Sequence, residues 1–382
     1  MESPKQQSSA FSRELAANIE DFIAKLKRGE LQGSKTVALK TANLMRHVVA
    51  DSRWDHAETL KHLLKTVGRR LLKAQARELL IINIVCRVLH IVSEAAPQIN
   101  SGKAAASTAL AVDSGLRGAE TPAMGLGSSS MSSRNLADQV SSSLLRAEAN
   151  LYHTKSDIIS EINEYITEVE CAEDEIARNA LDHIHSSEII LTCGRSRTVE
   201  KFLLTAARKR KFHVIVTECA PLYDGHEQAK ALASPNIEVV VVPDSAVFAI
   251  MSRVNKVILG THAVMANGGL IAASGTHMVA AAARHHSTQV MVCAGLYKHA
   301  PSFPFDDDRF NTLMAPDAVL PYGDASLVGA VDVVSPRYDY VPPDLVDILV
   351  DDNGGHLPSY IYRLQQDLYD NANDLAWNIP DQ

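Results

Sequence analysis

The chain has 382 residues, 46% of them hydrophobic and 21% charged, which is enough to bury two separate cores and ordinary for a globular protein. A net charge of −8 and a pI near 6.0 argue against a general binder of nucleic acid or of anionic membranes. Five scattered cysteines, Cys86, Cys171, Cys193, Cys219 and Cys293, include no C-x-x-C pair, which argues against a disulfide framework or zinc site and for a reducing compartment.

Residues 1–10 are polar, with no basic stretch leading into an apolar one, so disorder is expected there and a secretory leader is not. Residues 11–98 carry helical periodicity. Val37, Thr41, Leu44 and Val48 fall on one face, and Asp55-His56-Ala57-Glu58 has the spacing of a capping box. The helix it would open buries Leu60, Leu63, Leu64, Val67 and Leu71. Glu78 to Val92 is apolar on nearly every side, as in the central helix of a bundle. No apolar run approaches the ~20 residues needed to span a bilayer, so a soluble chain, cytosolic or nuclear, is expected.

Residues 99–143 are rich in Ser, Ala and Gly and read as a flexible insertion, because they cannot bury enough apolar surface to offset their ordering entropy. Over 144–186, Ile158, Ile162, Tyr165 or Ile166, and Val169 restore a helical stripe leading toward the next domain. From 187 to 382 the rhythm is strand, helix, strand. Glu188–Cys193, Phe212–Thr217, Ile237–Val242, Lys256–Gly260 and Gln289–Ala294 read as strands. Helices are expected between them at Thr198–Lys209, His226–Ala233, Ser245–Arg253 and Thr276–His285. A last strand, Ile348–Val350, precedes Asn353-Gly354-Gly355 and a terminal helix Ser359–Leu368. The fold class is therefore α/β: an N-terminal all-helical domain followed by a Rossmann-like, doubly wound parallel sheet.

In such a sheet ligands lie beyond the carboxyl ends of the strands, so the loops that matter are Cys193–Arg197, Glu218–Gly225, Thr261–Gly269 and Gly295–Phe303. None holds G-x-G-x-x-G or a P-loop. Arg195, Ser196, Arg197 and Thr198 could serve an anion, but the plainer reading is a polar helix cap. Cys193 sits where a helix would stabilise a thiolate, yet no histidine neighbours it in sequence, and a small core residue is the simpler reading. His183-Ile184-His185 and His285-His286 lack metal-ligand spacing. Asp306-Asp307-Asp308 reads as solvated surface, and Arg208–Lys211 as a solvated helix end. No active site assembles, and neither a cofactor nor a metal is expected.

Several long runs nevertheless match a known pattern. They include Ser52-Arg53-Trp54, Ser196-Arg197-Thr198-Val199-Glu200, Glu218-Cys219-Ala220-Pro221, Met251-Ser252-Arg253-Val254-Asn255-Lys256, Ala266-Asn267-Gly268, Tyr338-Asp339-Tyr340-Val341-Pro342-Pro343 and Pro358-Ser359-Tyr360-Ile361-Tyr362-Arg363. In these the chain resembles the beta-subunit family of eukaryotic translation initiation factor 2B. That group is related to sugar-phosphate aldose–ketose isomerases such as methylthioribose-1-phosphate isomerase.

Set against the isomerase pattern, the resemblance puts Gly194 at the nucleophile position with Arg195 beside it. Ala220 stands where an arginine would hold a phosphate, and His262 where the catalytic aspartate belongs. Proton transfer and phosphate anchoring would both be lost, leaving a vestigial pocket. The resemblance implies a non-catalytic regulatory subunit of a guanine-nucleotide exchange factor for initiation factor 2. Its implied partners are the alpha, delta, gamma and epsilon subunits and the alpha subunit of initiation factor 2, whose phosphorylation the core senses; no nucleic acid or membrane is implied. His183, Tyr360, Tyr362 and Arg363 are the expected subunit interface. The alternatives are an isomerase working through Cys193 and His262, and a nucleotide-binding module.

Overall fold

The computed structural model describes residues 13–31, 33–54, 56–75, 77–114, 133–233, 236–304, 311–323 and 330–369, with backbone only at 98–114 and 133–152. The N-terminal ten residues, part of the serine-rich segment and Asp306-Asp307-Asp308 lie outside this set. Helices come first: α1 (Arg13–Lys27), α2 (Ser34–Asp51), α3 (Ala57–Ala74), α4 (Leu79–Ser114), α5 (Ser133–Arg178) and the short α6 (Ala180–His183). Each stripe read from the sequence is buried. Val37, Thr41, Leu44 and Val48 pack from α2, the leucines and Val67 from α3, and Ile158, Ile162, Tyr165 and Val169 from α5. The backbone of 99–114 and 133–143, expected to belong to an insertion, continues α4 and α5.

Two expectations change here. Helix α3 begins at Ala57 with His56 in the cap position and no side-chain cap bond; Asp55 lies outside the described residues. Leu79–Pro97 is 19 residues of mean hydropathy 1.8, long and apolar enough to cross a membrane by length and composition, yet 72% of it is buried in the fold. Asn83, Arg87 and His90 broke the apolar run in the sequence. In the structure each has a partner: Asn83 donates to the Tyr297 carbonyl (3.4 Å), Arg87 to that of Leu368 (3.3 Å), and His90 meets Glu94 (3.5 Å).

The second half alternates as expected: β1 (Ile189–Thr192), α7 (Arg197–Ala207), β2 (Phe212–Thr217), α8 (Asp224–Leu232), β3 (Ile237–Val242), α9 (Val247–Met251) and β4 (Lys256–Gly260). There follow β5 (Ala263–Val264), β6 (Leu270–Ala273), α10 (Thr276–His285), β7 (Gln289–Cys293), β8 (Tyr338–Val341), β9 (Ile348–Asp351), β10 (Gly354–His356) and α11 (Ile361–Leu368). Seven strands form one sheet in the order β10-β9-β7-β4-β1-β2-β3, parallel throughout except that β10 pairs antiparallel with β9. Val199, Phe202, Val214 and Ile258 belong to the core on one face, and Leu191, Val257, Val279 and Val292 to the core on the other. The sheet is thus covered on both sides, which is why its strands read as continuous apolar runs.

A second sheet, β5-β6-β8, is antiparallel and has no counterpart in the sequence reading. Asn267-Gly268 makes its hairpin turn, with Gly268 at φ 81°, and the Asn267 amide donates to the Tyr340 hydroxyl (2.7 Å). Ala263 and Ile271 of this sheet, with Met265 from the hairpin between β5 and β6, join the helical core, so the two halves share one apolar cluster.

Candidate functional site

β1 and β4 lie side by side while the chain departs from them to opposite sides of the sheet, the crevice where an open parallel sheet holds its ligand. Here that crevice is filled. A side chain at Gly260, the last residue of β4, would fall 2.4 Å from both Cβ and Oγ of Ser196, so Ser196 lies directly on the strand end. The Ser196 hydroxyl caps α7 by accepting from Val199 N–H (3.4 Å), and its own N–H donates to the buried Gln228 (3.2 Å). The polar-cap reading of this loop holds.

Five further backbone N–H groups at this end of the sheet meet carboxylates. Asp244 accepts from the N–H groups of Cys219 (3.0 Å) and Ala220 (2.8 Å). Asp339 accepts from Gly275 (2.6 Å) and His277 (3.2 Å) at the start of α10, and Asp352 accepts from Leu296 (3.3 Å). A phosphate would need such donors. It would meet carboxyl groups where they point. Asp339→Ala is expected to cost about 1 kcal/mol by uncapping α10. Thermal melts should then show phosphate stabilising the variant and leaving the parent unmoved.

The sequence-derived pocket residues are only partly brought together. Gly194, at φ 70°, donates its N–H to the Cys219 sulfur (2.9 Å), and the exposed Ala220 follows Cys219 directly, so these two share a corner. Arg195 is exposed beside them. His262 turns toward the helical half instead. Its Nε2 pairs with Glu78 at 3.0 Å, its Nδ1 meets the Ser34 hydroxyl at 3.3 Å, and its ring stacks on Tyr338 at 4.7 Å. Burial would raise the Glu78 carboxyl, but the His262 charge beside it holds it below the ordinary range. His262 is therefore a joint between the halves. Lys298 is another inward group: burial pushes its amine down to about 8, and it donates to the Thr261 carbonyl (2.8 Å).

Cys193 is buried. Its thiol is pushed well up by its hydrogen bond to Cys219 and by desolvation, which suits the core-residue reading. The sequence reading missed Cys219 as its partner and missed all three capping aspartates. Each interacts with residues well separated along the chain, and a strand-by-strand reading carries no signal for that.

Two concavities flank the sheet. One of about 380 Å³, lined by Arg284, Gln289 and Asp347, is at the amino end of β7, the wrong end for a ligand of this fold. The other, about 620 Å³, opens between α4, α5 and the loops after β7 and β9. It presents Glu164, Glu168, Glu175 and Asp352 against the single guanidinium of Arg87, a poor host for a sugar phosphate.

Burial first, then Asp351 and the nearby glutamates, push Asp352 up to about 7 against the Leu296 N–H. The folded chain therefore holds a proton there that the unfolded chain releases above its ordinary 3.8, so this group's contribution falls as pH rises from 3.8 toward 7. Asp352→Asn keeps the acceptor and removes the charge. Denaturant titrations should show it stabilising the chain by ~1 kcal/mol at pH 8, after discounting for partial exposure, and by nothing at pH 4.

Two of the four expected interface residues, His183 and Tyr360, lie against β10, an edge strand of the large sheet. Half-buried His183 lies 3.4 Å from where a side chain at Gly355 would begin, and Tyr360 stacks on His356 at 5.0 Å. Tyr360 thus packs partly on its own sheet while remaining 37% exposed; Tyr362 is 61% exposed, and Arg363 is exposed beside it.

The chain is 41% identical over 367 residues to a translation initiation factor eIF2B subunit beta of Dictyostelium discoideum, covering 92% of this chain and 95% of that one. Its structure is similar to that of eIF2B beta from Chaetomium thermophilum, with a TM-score of 0.67 and 27% identity over 96% of this chain and 95% of that one. It is also similar to a chain of the tetrameric eIF2B-beta2-delta2 complex of that organism, with a TM-score of 0.65 and 28% identity over 93% and 95%. A ribose 1,5-bisphosphate isomerase of Pyrococcus furiosus is 29% identical, over 54% of this chain and 65% of that enzyme. Residues 30–358 match the model of the initiation factor 2 subunit family, and the chain belongs to that family.

Proposed function

We propose that the chain is a beta-type regulatory subunit of the guanine-nucleotide exchange factor for translation initiation factor 2, and that it carries out no catalysis itself. The observation that carries this reading is the state of the sheet's ligand end, where Asp244, Asp339 and Asp352 accept from five backbone N–H groups that could otherwise face an anion. Near-full-length likeness to eIF2B beta subunits supports the same reading. The chain then works by its surfaces, in the cytoplasm. It joins alpha and delta subunits in a regulatory core, with gamma and epsilon completing the assembly. The core binds the alpha subunit of initiation factor 2, and phosphorylation of that ligand shifts the population of core arrangements. His183, Tyr360, Tyr362 and Arg363 are the proposed contact to a neighbouring subunit, since tyrosine and arginine combine large contact area with a polar tip. The proposed division is a helical domain over 11–98, an insertion over 99–143, linking helices over 144–186 and a Rossmann-like domain over 187–382.

The rival reading is a sugar-phosphate isomerase, which the archaeal relative favours. Phosphorus NMR of ribose 1,5-bisphosphate or methylthioribose 1-phosphate incubated with the purified chain separates the two. The regulatory reading requires an unchanged spectrum. Conversion that disappears in Cys193→Ala would establish the isomerase.

A further inference from the structure

Cys193 and Cys219 follow the neighbouring parallel strands β1 and β2 and have no part in the function proposed above. Their sulfurs lie 3.4 Å apart. Three groups converge on the Cys219 sulfur: the Cys193 thiol, the Gly194 N–H at 2.9 Å and the Thr217 hydroxyl at 3.3 Å. Hydrogen bonds of this kind stabilise a thiolate. The contact with Cys193 is the largest effect lowering the Cys219 thiol, against burial and the Asp244 carboxylate, and the same contact raises the Cys193 thiol. Cys219 also sits at φ 57°, a left-handed conformation uncommon outside glycine. The remaining cysteines differ. Cys86 and Cys293 are buried with thiols pushed up to about 12, and Cys171 is exposed on α5.

We propose that Cys219 and Cys193 form a peroxide-sensitive dithiol in which Cys219 is the attacking sulfur and Cys193 the resolving one. In the first step the Cys219 thiolate attacks one oxygen of a hydroperoxide. The S–O bond forms, the O–O bond breaks, and hydroxide or alkoxide leaves and takes a proton; sulfur is oxidised by two electrons as the peroxide is reduced. In the second step the Cys193 sulfur attacks the sulfenic sulfur. The S–S bond forms and the S–O bond breaks, and the departing hydroxide leaves as water with the Cys193 proton. A dithiol reductant reverses the change by exchange. Closing the gap from 3.4 Å to the ~2.05 Å of a disulfide removes the thiolate acceptor from Gly194 and draws in the segment after β2. That segment exposes Leu222 (42%) and Tyr223 (47%), so oxidation alters a surface as well as a core.

The test treats the reduced full chain with hydrogen peroxide, blocks free thiols and digests with trypsin without reductant. The expected product is a disulfide between peptides Asn179–Arg195 and Phe212–Lys230, released by dithiothreitol. In Cys193→Ser the oxidation should stop at a sulfenic acid on Phe212–Lys230, trapped by dimedone. Oxidation of Cys171 in peptide Ser156–Arg178 while both other peptides remain reduced would overturn the proposal, and that result needs only the unaltered chain. Dimedone on Cys193 in Cys219→Ser would overturn the assignment of roles.

Discussion

Replacing His262 with alanine is expected to destabilise the chain by about 3 kcal/mol, because it strands a buried carboxylate. Glu78 and His262 are about nine-tenths buried, with side chains 11% and 12% exposed, and they meet at 3.0 Å where the first turn of α4 approaches the end of β4. Without the imidazole, Glu78 must stay charged in a dry site or take up a proton. Glu78→Gln removes the charge itself and should cost less, and in the double variant the two losses should not add. The pH dependence gives an independent check. The folded carboxyl lies below its ordinary 4.5, so its contribution is complete above that value and is lost as pH falls through the folded value. Urea titrations should show this acid loss in the parent and a much smaller one in Glu78→Gln. Equal stability of His262→Ala and the parent at pH 7 would mean that the joint contributes nothing.

Phe202→Ala should cost about 3–5 kcal/mol, the range for deleting a large buried aromatic. Phe202 is fully buried on the inner face of α7, in one core with Val199, Ile190 and Val214. A domain is stabilised by only about 5–15 kcal/mol in total, so this single cavity removes a large share. The variant is expected to express as largely insoluble protein, with any soluble fraction melting well below the parent. A melt within a few degrees of the parent would contradict the close packing of α7 on the sheet.

The large sheet was legible because its central strands are buried on both faces. Runs such as Lys256–Gly260 and Gln289–Cys293 therefore appear as unbroken apolar blocks, and their limits agree with the sequence reading to within a residue or two. The small sheet was not, because β5 is only two residues long and β6 follows within the same loop. The Asn267-Gly268 dipeptide between two apolar pieces was the available sign of that hairpin. No strand was expected between Ile348–Val350 and the terminal helix, yet Gly354 and Gly355 enter strand β10 and close the edge of the large sheet against β9.

At the site, the absence of phosphate-binding glycines was visible in the sequence. The way the space is filled was not. Asp339 reaches Gly275 and His277 from β8, and Asp244 reaches Cys219 and Ala220 from beyond β3. Such contacts depend on how distant strands stack, and local periodicity does not encode them. Cys193 and Cys219 are 26 residues apart, and only the parallel pairing of β1 with β2 makes them neighbours.

Co-expression of the chain with an eIF2B-type delta subunit, followed by native mass measurement, tests most directly the proposal that the chain acts through its surfaces. The expected result is a stable particle containing both chains, which also takes up an alpha subunit when one is supplied. A well-folded monomer indifferent to both partners would contradict the regulatory reading.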